Sequence, residues 1–153
     1  PGNGCVYSGN KLTYTIQFEN TGTDTAFNIY VLDTISDNLN LETMRIIMAS
    51  NEMDVSLIHN GGYDILKFDF PNIYLPDSSH HGLCDGAFMY SINVKNSLAD
   101  GTQIPNRVGI YFDYNPVVMT NTVVNTIGCP TAVPDVTAEN NVELKIIKRD
   151  IYE

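Results

Sequence analysis

Residues able to do chemistry are few in this chain, and they are scattered. Three histidines stand at His59, His80 and His81, and three cysteines at Cys5, Cys84 and Cys129. Nucleophilic catalysis needs a Ser or Cys beside a base that a third group orients. All three histidines fall in loops or at a strand end, and no Gly-x-Ser-x-Gly occurs. His80-His81 precede Cys84 by three residues, which makes a crowded half-site and not a tetrahedral zinc set. Asp64 and Asp69 are five apart on a strand. An odd spacing puts them on opposite faces, so a glycosidase pair is unsupported. No Gly-rich phosphate loop or EF-hand loop is present. The residues point away from an enzyme, and no cofactor is implied.

Two constellations point to binding. Asn20 and Asp24 lie at one hairpin end, and Asp113 and Asn115 at an Asn-Pro corner. With even strand parity both ends share one pole, where four oxygen ligands suit Ca²⁺. The simpler account is that these side chains cap their own turns. Tyr30, Tyr111 and Tyr114 are candidates for stacking on a sugar or another partner, or else they cover the second face of a sheet. A third idea is an intramolecular amide between Lys11 and Asn121 or Asn125. That reaction needs a buried acid between the partners, and none is identifiable from the sequence.

The elements that must position these residues read as strands. Lys11–Glu19 alternates Leu12, Tyr14, Ile16 and Phe18 with Thr13, Thr15, Gln17 and Glu19, the period of a half-buried strand. Ala26–Asp33 returns after a Gly22 turn, with Phe27, Ile29 and Val31 on one face. Thr34–Leu41 reads as a long connection, and Thr43–Met48 as a short strand. Asp54–His59 and Tyr63–Phe70 flank Asn60-Gly61-Gly62, a strong hairpin signal because these residues accept positive φ. Asn72–Gly82 is a crossover loop. Gly86–Lys95 follows, with Phe88, Tyr90, Ile92 and Val94 on one face. Two closing strands, 108–113 and 117–127, are broken at Asn115-Pro116, because proline lacks the ladder N–H and restricts its predecessor.

These runs give seven or eight antiparallel strands. The expected fold is all-β, an immunoglobulin-like β-sandwich over residues 1–128. Residues 129–153 read as a linker with two prolines and a short tail. That tail either adds an edge strand or stays poorly ordered, and composition favours the latter. Cys5 and Cys129 flank the body near its two ends and could meet, but the sequence leaves open whether they pair.

The 153 residues suffice for one domain with a real core. Charged residues make up 17% of the chain, against roughly 25% in ordinary domains. The net charge of −10 repels phosphate backbones, so nucleic acid is not a partner. No apolar run reaches the ~18 residues of a membrane span. The start at Pro1-Gly-Asn-Gly4 reads as a segment of a longer polypeptide.

Several motifs in order carry a resemblance: Leu12–Asn28, Val31–Ile35, Asn106–Pro116, Thr120-Asn121 and Asn125–Ile127. They resemble an Ig-like domain of unknown function found near the C-termini of large surface and secreted proteins of Bacteroidetes, often just before a type IX secretion sorting signal. More distantly the chain is similar to conserved-repeat domains of bacterial surface proteins. The resemblance implies a non-enzymatic spacer, display or interaction module of an exported cell-surface protein, associated with the outer membrane. Its partners would be neighbouring domains of the parent protein and a glycan or protein ligand. A carbohydrate-binding or adhesion role is the alternative. The sequence departs from the family at Val117, where a second proline is common, and in the tail, which lacks the expected Asn-Pro of a sorting domain.

Overall fold

The structure is a computed structural model that describes residues 3–80, 82–128 and 140–145. Within these residues every regular element is a strand: β1 (Asn3–Val6), β2 (Lys11–Glu19), β3 (Ile29–Ile35), β4 (Leu39–Ala49), β5 (Asp54–Asn60), β6 (Tyr63–Phe70), β7 (Asp85–Val94), β8 (Gln103–Asn106), β9 (Val108–Phe112), β10 (Val118–Met119), β11 (Val123–Ile127) and β12 (Asn140–Lys145). The fold is an all-β, immunoglobulin-like sandwich.

Two larger sheets form its layers. One runs β10-β9-β3-β6-β5 and the other β12-β2-β7-β4. A smaller sheet, β1-β11-β8, closes the flank. β8 runs into β9 across the single residue Arg107, so one stretch of chain passes from the flank sheet into a main layer.

The alternation in β2 does what its period dictates. Leu12, Tyr14, Ile16 and Phe18 are buried while Lys11, Gln17 and Glu19 are exposed. β7 pairs with β2 residue for residue, placing Tyr90 opposite Tyr14 and Phe88 opposite Ile16. Facing them across the core, β6 contributes Leu66, Phe68 and Phe70, all buried. Aromatic rings join the layers. Phe68 lies 4.5 Å from Phe88 and 5.3 Å from Tyr90 between centroids, and Phe18 meets Phe70 edge-on at 5.4 Å. Such tilted and edge-on pairs add stabilisation beyond the apolar area they bury.

Gly86 makes one of these contacts fit. A Cβ at this position would stand 2.4 Å from Cε2 of Phe18, whose ring is held by Phe70 and Phe112. A buried ring so held cannot swing aside. Gly86→Ala is therefore expected to cost about 1–3 kcal/mol by overpacking, read as a lower denaturant midpoint at unchanged slope.

The structure departs from the sequence expectations in several places, and its described residues form twelve strands where seven or eight were expected. The expected strand over 117–127 is two. β10 pairs antiparallel with β9, and β11 leaves to pair with β8 and β1. β1 on β11 and β12 on β2 are parallel pairs, so the sheets are not purely antiparallel. The region read as a connection and a short strand is mostly one long strand, β4. Its pairing with β7 is interrupted by bulges between Asn40 and Arg45 and between Ile46 and Met48. β3 begins at Ile29 and not at Ala26, which forms an isolated bridge with Leu75.

The hairpin appears where expected, with Gly61 and Gly62 as the loop residues at φ 58° and 90°. On the tail side of residue 128, β12 joins the sandwich beside β2. Whether Cys5 and Cys129 pair lies outside the described residues. Gly128 donates its N–H to the Val6 carbonyl at 3.0 Å, so the chain leaves β11 next to β1.

Candidate functional site

The expected hairpin between β2 and β3 is instead a crossing between layers, since the two strands lie in different sheets, but this crossing and the Asn-Pro corner share one pole. Asn20, Asp24, Asp113 and Asn115 all line a single pocket of about 630 Å³, together with Glu19, Phe27 and Tyr114. Its geometry comes from polar side chains that bond backbone groups. Asp113 sits at φ 49°, a left-handed position that Asp tolerates better than most residues. From there its carboxylate accepts the N–H groups of Phe27 at 3.0 Å and Asn28 at 2.8 Å. The corner after β9 is thereby tied to the segment entering β3.

Asn20 is buried and ties a second pair of segments. Its amide nitrogen faces the carbonyls of Asp24, Leu75 and Pro76 at 2.9–3.0 Å. Its oxygen accepts the Gly22 N–H at 3.1 Å. Asp24 accepts the N–H of Thr25 at 2.8 Å, and the Asn115 amide donates to the Phe112 carbonyl at 3.0 Å.

This arrangement bears on the calcium expectation. Ca²⁺ takes six to eight oxygens, mostly carboxylate and carbonyl. Here both Asp113 oxygens, one Asp24 oxygen and the Asn20 oxygen already accept backbone N–H groups. Among the described residues no three His, Cys, Asp or Glu side chains gather as a metal group. The four residues fit turn capping better than a cation cage. Millimolar Ca²⁺ is accordingly expected to leave the melting temperature unchanged, and a rise of several degrees would assign the pole to the ion.

The capping has a measurable worth. Asp113→Ala removes two charge-assisted bonds and leaves a Cβ residue at positive φ. A loss of roughly 1–3 kcal/mol is expected. Asp113→Gly should recover part of it, because glycine accepts the backbone conformation. Thermal melts of the two variants check this.

The tyrosines separate into two groups. Tyr30 and Tyr111 are cross-strand partners on the outer face of the five-stranded sheet. Their rings stack at 4.5 Å and 7°. On the other side of Tyr30, Lys67 from β6 places its ammonium 5.0 Å from the ring centroid and bonds Asp69 at 2.6 Å. Both faces of Tyr30 are thus used within the protein, and the pair covers the sheet. Tyr114 stands apart at the pole and is fully exposed, with Phe27 half-exposed beside the same pocket. Phe27 meets Tyr74 edge-on at 5.8 Å.

The histidines make surface contacts. His59 lies 2.5 Å from Asp64 on neighbouring strands. His80 and Ser79 both reach the same Asp77 oxygen, on a single exposed turn. Ser79 holds the Asp77 carboxyl below its usual value, mostly by these hydrogen bonds. This acid, serine and histidine form a local cap and no relay, because Ser79 and Asp77 meet the same His80 nitrogen and each other, so the imidazole does not stand between nucleophile and acid. His81 lies outside the described residues.

A buried acid does exist. Asp33 is fully buried between the layers, where its Oδ2 accepts the Tyr90 hydroxyl at 2.5 Å and the Asn106 amide at 3.2 Å. Burial pushes its carboxyl up to about 6, and the bonds from Tyr90 and Asn106 partly oppose that. The sequence carried a signal for it. Ile29, Val31, Asp33 and Ile35 share one phase, so Asp33 falls on the core face. Lys11 is exposed on the opposite phase of β2 from Tyr14, while Asn125 is buried. Lys11 and Asn125 therefore do not face each other, and that pairing for the amide loses its geometry.

The sequence motifs from Leu12 to Ile127 and the sandwich around them agree with a family match over residues 3–126. The chain belongs to DUF7619, a domain of unknown function. No curated protein matches it.

Among solved structures, the N-terminal domain of a Streptococcus gordonii adhesin superposes at a TM-score of 0.55 and 14% identity. That match covers 83% of this chain and 30% of the adhesin chain, so the domain spans under a third of that relative's length. A non-cellulosomal cohesin from Archaeoglobus fulgidus aligns at a TM-score of 0.42 and 15% identity, over 84% of this chain and 88% of that one. A collagen-binding domain from a Staphylococcus aureus adhesin aligns at 0.41 and 11% identity, over 80% and 97%. At these identities the first likeness shows the fold.

Proposed function

We propose that this DUF7619 domain is a non-enzymatic interaction and display module of a larger exported cell-surface protein, and that its contact surface is the loop pole. The observation that carries the reading is the state of that pole. Polar side chains pin its loops to the sandwich, yet Tyr114 and Phe27 stand in solvent around a pocket of about 630 Å³. Large aromatic side chains on a rigid rim give contact area at low entropic cost.

The resemblance to Ig-like domains of Bacteroidetes surface proteins supports an extracellular place and type IX export in the parent protein. A spacer role and neighbouring domains of that parent fit the same resemblance. A carbohydrate ligand is the second reading, and the exposed Tyr114 ring favours it over the internally stacked Tyr30–Tyr111 pair.

The test is a fluorescently labelled domain applied to arrays of glycans and of extracellular proteins. Binding that falls roughly tenfold or more in Tyr114→Ala with Phe27→Ala supports the pole, a loss of about 1.4 kcal/mol. Binding indifferent to that double substitution, or no binding on either array, overturns it. A hit on glycans alone selects the second reading. Protease accessibility of the domain in the parent protein on intact cells tests the location.

A further inference from the structure

The core of the sandwich contains a polar cluster that its own side chains do not satisfy. Asp33, Tyr90 and Asn106 are bonded to one another, with the Asn106 amide 3.4 Å from the Tyr90 hydroxyl. Tyr14 lies against Tyr90, ring to ring at 5.3 Å. The Asn125 carboxamide lies beside the Tyr14 hydroxyl and opposes the rise in its pKa that burial, and then the Asp33 charge, cause. The two groups nevertheless lack the alignment of a hydrogen bond, since the Tyr14 hydroxyl and both polar atoms of Asn125 are buried without a partner. Asp33 Oδ1 and Asn106 Oδ1 are in the same condition.

Five such atoms in one core need an account. A buried polar group left unbonded costs roughly 1–3 kcal/mol, and native cores hold only a few per hundred residues. These five come from four strands of all three sheets: β2, β3, β8 and β11. They are also complementary. The Tyr14 hydroxyl and the Asn125 amide nitrogen are donors, whereas Asp33 Oδ1, Asn106 Oδ1 and Asn125 Oδ1 are acceptors. A bare cation would satisfy the oxygens and leave the Asn125 N–H₂ facing it. Water both accepts and donates, and buried waters make about three bonds each to groups of this kind.

We infer that the domain holds ordered water at this point, bridging Tyr14 and Asn125 to Asp33 and Asn106, as a structural ligand that ties the two layers to the flank sheet. β11 reaches the cluster through Asn125, and β1 fits against it because it places a glycine there. A Cβ on Gly4 would stand within van der Waals overlap of the Asn125 oxygen.

A crystal structure of the whole chain, at a resolution of roughly 1.5 Å or better so that waters are distinct, tests the inference directly. Expected are one or two solvent peaks within about 3 Å of Asp33 Oδ1, Asn106 Oδ1 and the Tyr14 hydroxyl. Direct pairing of Asn125 with Tyr14 and Asp33, with no solvent between, overturns the inference. So does a peak with about six oxygens at roughly 2.4 Å, which is a cation. In solution, Tyr14→Phe and Asp33→Asn are combined in a double-mutant cycle. Bridging water couples them, so the double variant's unfolding constant should differ from the product of the single effects by roughly threefold or more. Additive effects count against the bridge.

Discussion

Phe68→Ala should remove about 3–5 kcal/mol of stability. Phe68 is fully buried in β6, where its ring touches Phe88 and Tyr90 of the opposite layer. Truncation removes the transfer energy of the ring and leaves a cavity between two sheets. Their backbones are held by ladders on both sides, so the site cannot collapse to fill it. Domains of this size are stable by only about 5–15 kcal/mol. The variant should therefore melt roughly 10 °C or more below the parent. The chain has no Trp, so far-UV circular dichroism and the emission of its 9 tyrosines are the readouts. Leu57→Ala on β5 is the control. It is as apolar and lies in the same sheet, but every residue of β5 is exposed, and a loss below about 1 kcal/mol is expected. Equal losses in the two variants would mean that the core does not lie where β2, β6 and β7 place it.

The strands that carry the core were legible because their large apolar residues recur at every second position. β2 places large apolar side chains on one phase and polar ones on the other, while β6 and β7 keep their large core side chains on one phase despite Ile65, Ala87 and Met89 on the other. The hairpin between β5 and β6 was legible because Asn60-Gly61-Gly62 can hardly do anything else. The split of the last stretch into β10 and β11 was not. Thr120 and Thr122 are good strand residues and the single Asn121 is only a weak strand breaker, so no strong local preference marks the break. The break is a tertiary event: the Thr120 hydroxyl accepts the Val108 N–H at 3.1 Å, and the chain then turns toward β8. Parallel pairing of β1 and β12 has no local signal either, because partners so distant in sequence leave no turn between them to read.

At the pole, Asn20, Asp24, Asp113 and Asn115 line one pocket, as even strand parity required, although the turn after β2 crosses between layers and is no hairpin. What they bond could not be read, because their partners are backbone groups of other segments. Asp113 reaches across to Phe27 and Asn28 only because the corner after β9 takes a left-handed turn. The aromatic residues divide on the same principle. Tyr30 and Tyr111 find each other because β3 and β9 pair in that register, whereas Tyr114 follows the last ladder residue and has nothing to stack on. Sequence lists the tyrosines; register decides which of them face a partner.

Asp33 gives the strongest pH dependence expected of the fold. Its folded-state carboxyl titrates at about 6, against 3.8 for the ordinary group. Burial is the chief cause, and the groups that face it, Tyr90, Asn106 and Tyr14, are all neutral at these pH values. The folded state thus holds its proton more tightly than the unfolded chain does. Between those two values the folded state binds more protons, so stability falls as pH rises. The contribution is fully present below about 3.8 and gone above about 6. The difference corresponds to roughly 3 kcal/mol. Asp77 works in the opposite sense, since its lowered carboxyl favours the fold above its ordinary value and loses that effect only on further acidification. Its window therefore lies at the acid end. The net charge of −10 also weakens the compact state as carboxylates ionise, so the raw pH profile of the parent mixes several terms. Comparison with Asp33→Asn isolates the one at issue. Asparagine keeps an oxygen for Tyr90 and Asn106 and turns an N–H₂ toward the water, which can reverse its own orientation to accept. The variant should match the parent near pH 4 and exceed it by up to about 3 kcal/mol at pH 7, measured as the difference between two urea-unfolding series. Parallel profiles across that range would mean that Asp33 ionises in the fold as freely as in the open chain, which its position between the sheets does not allow.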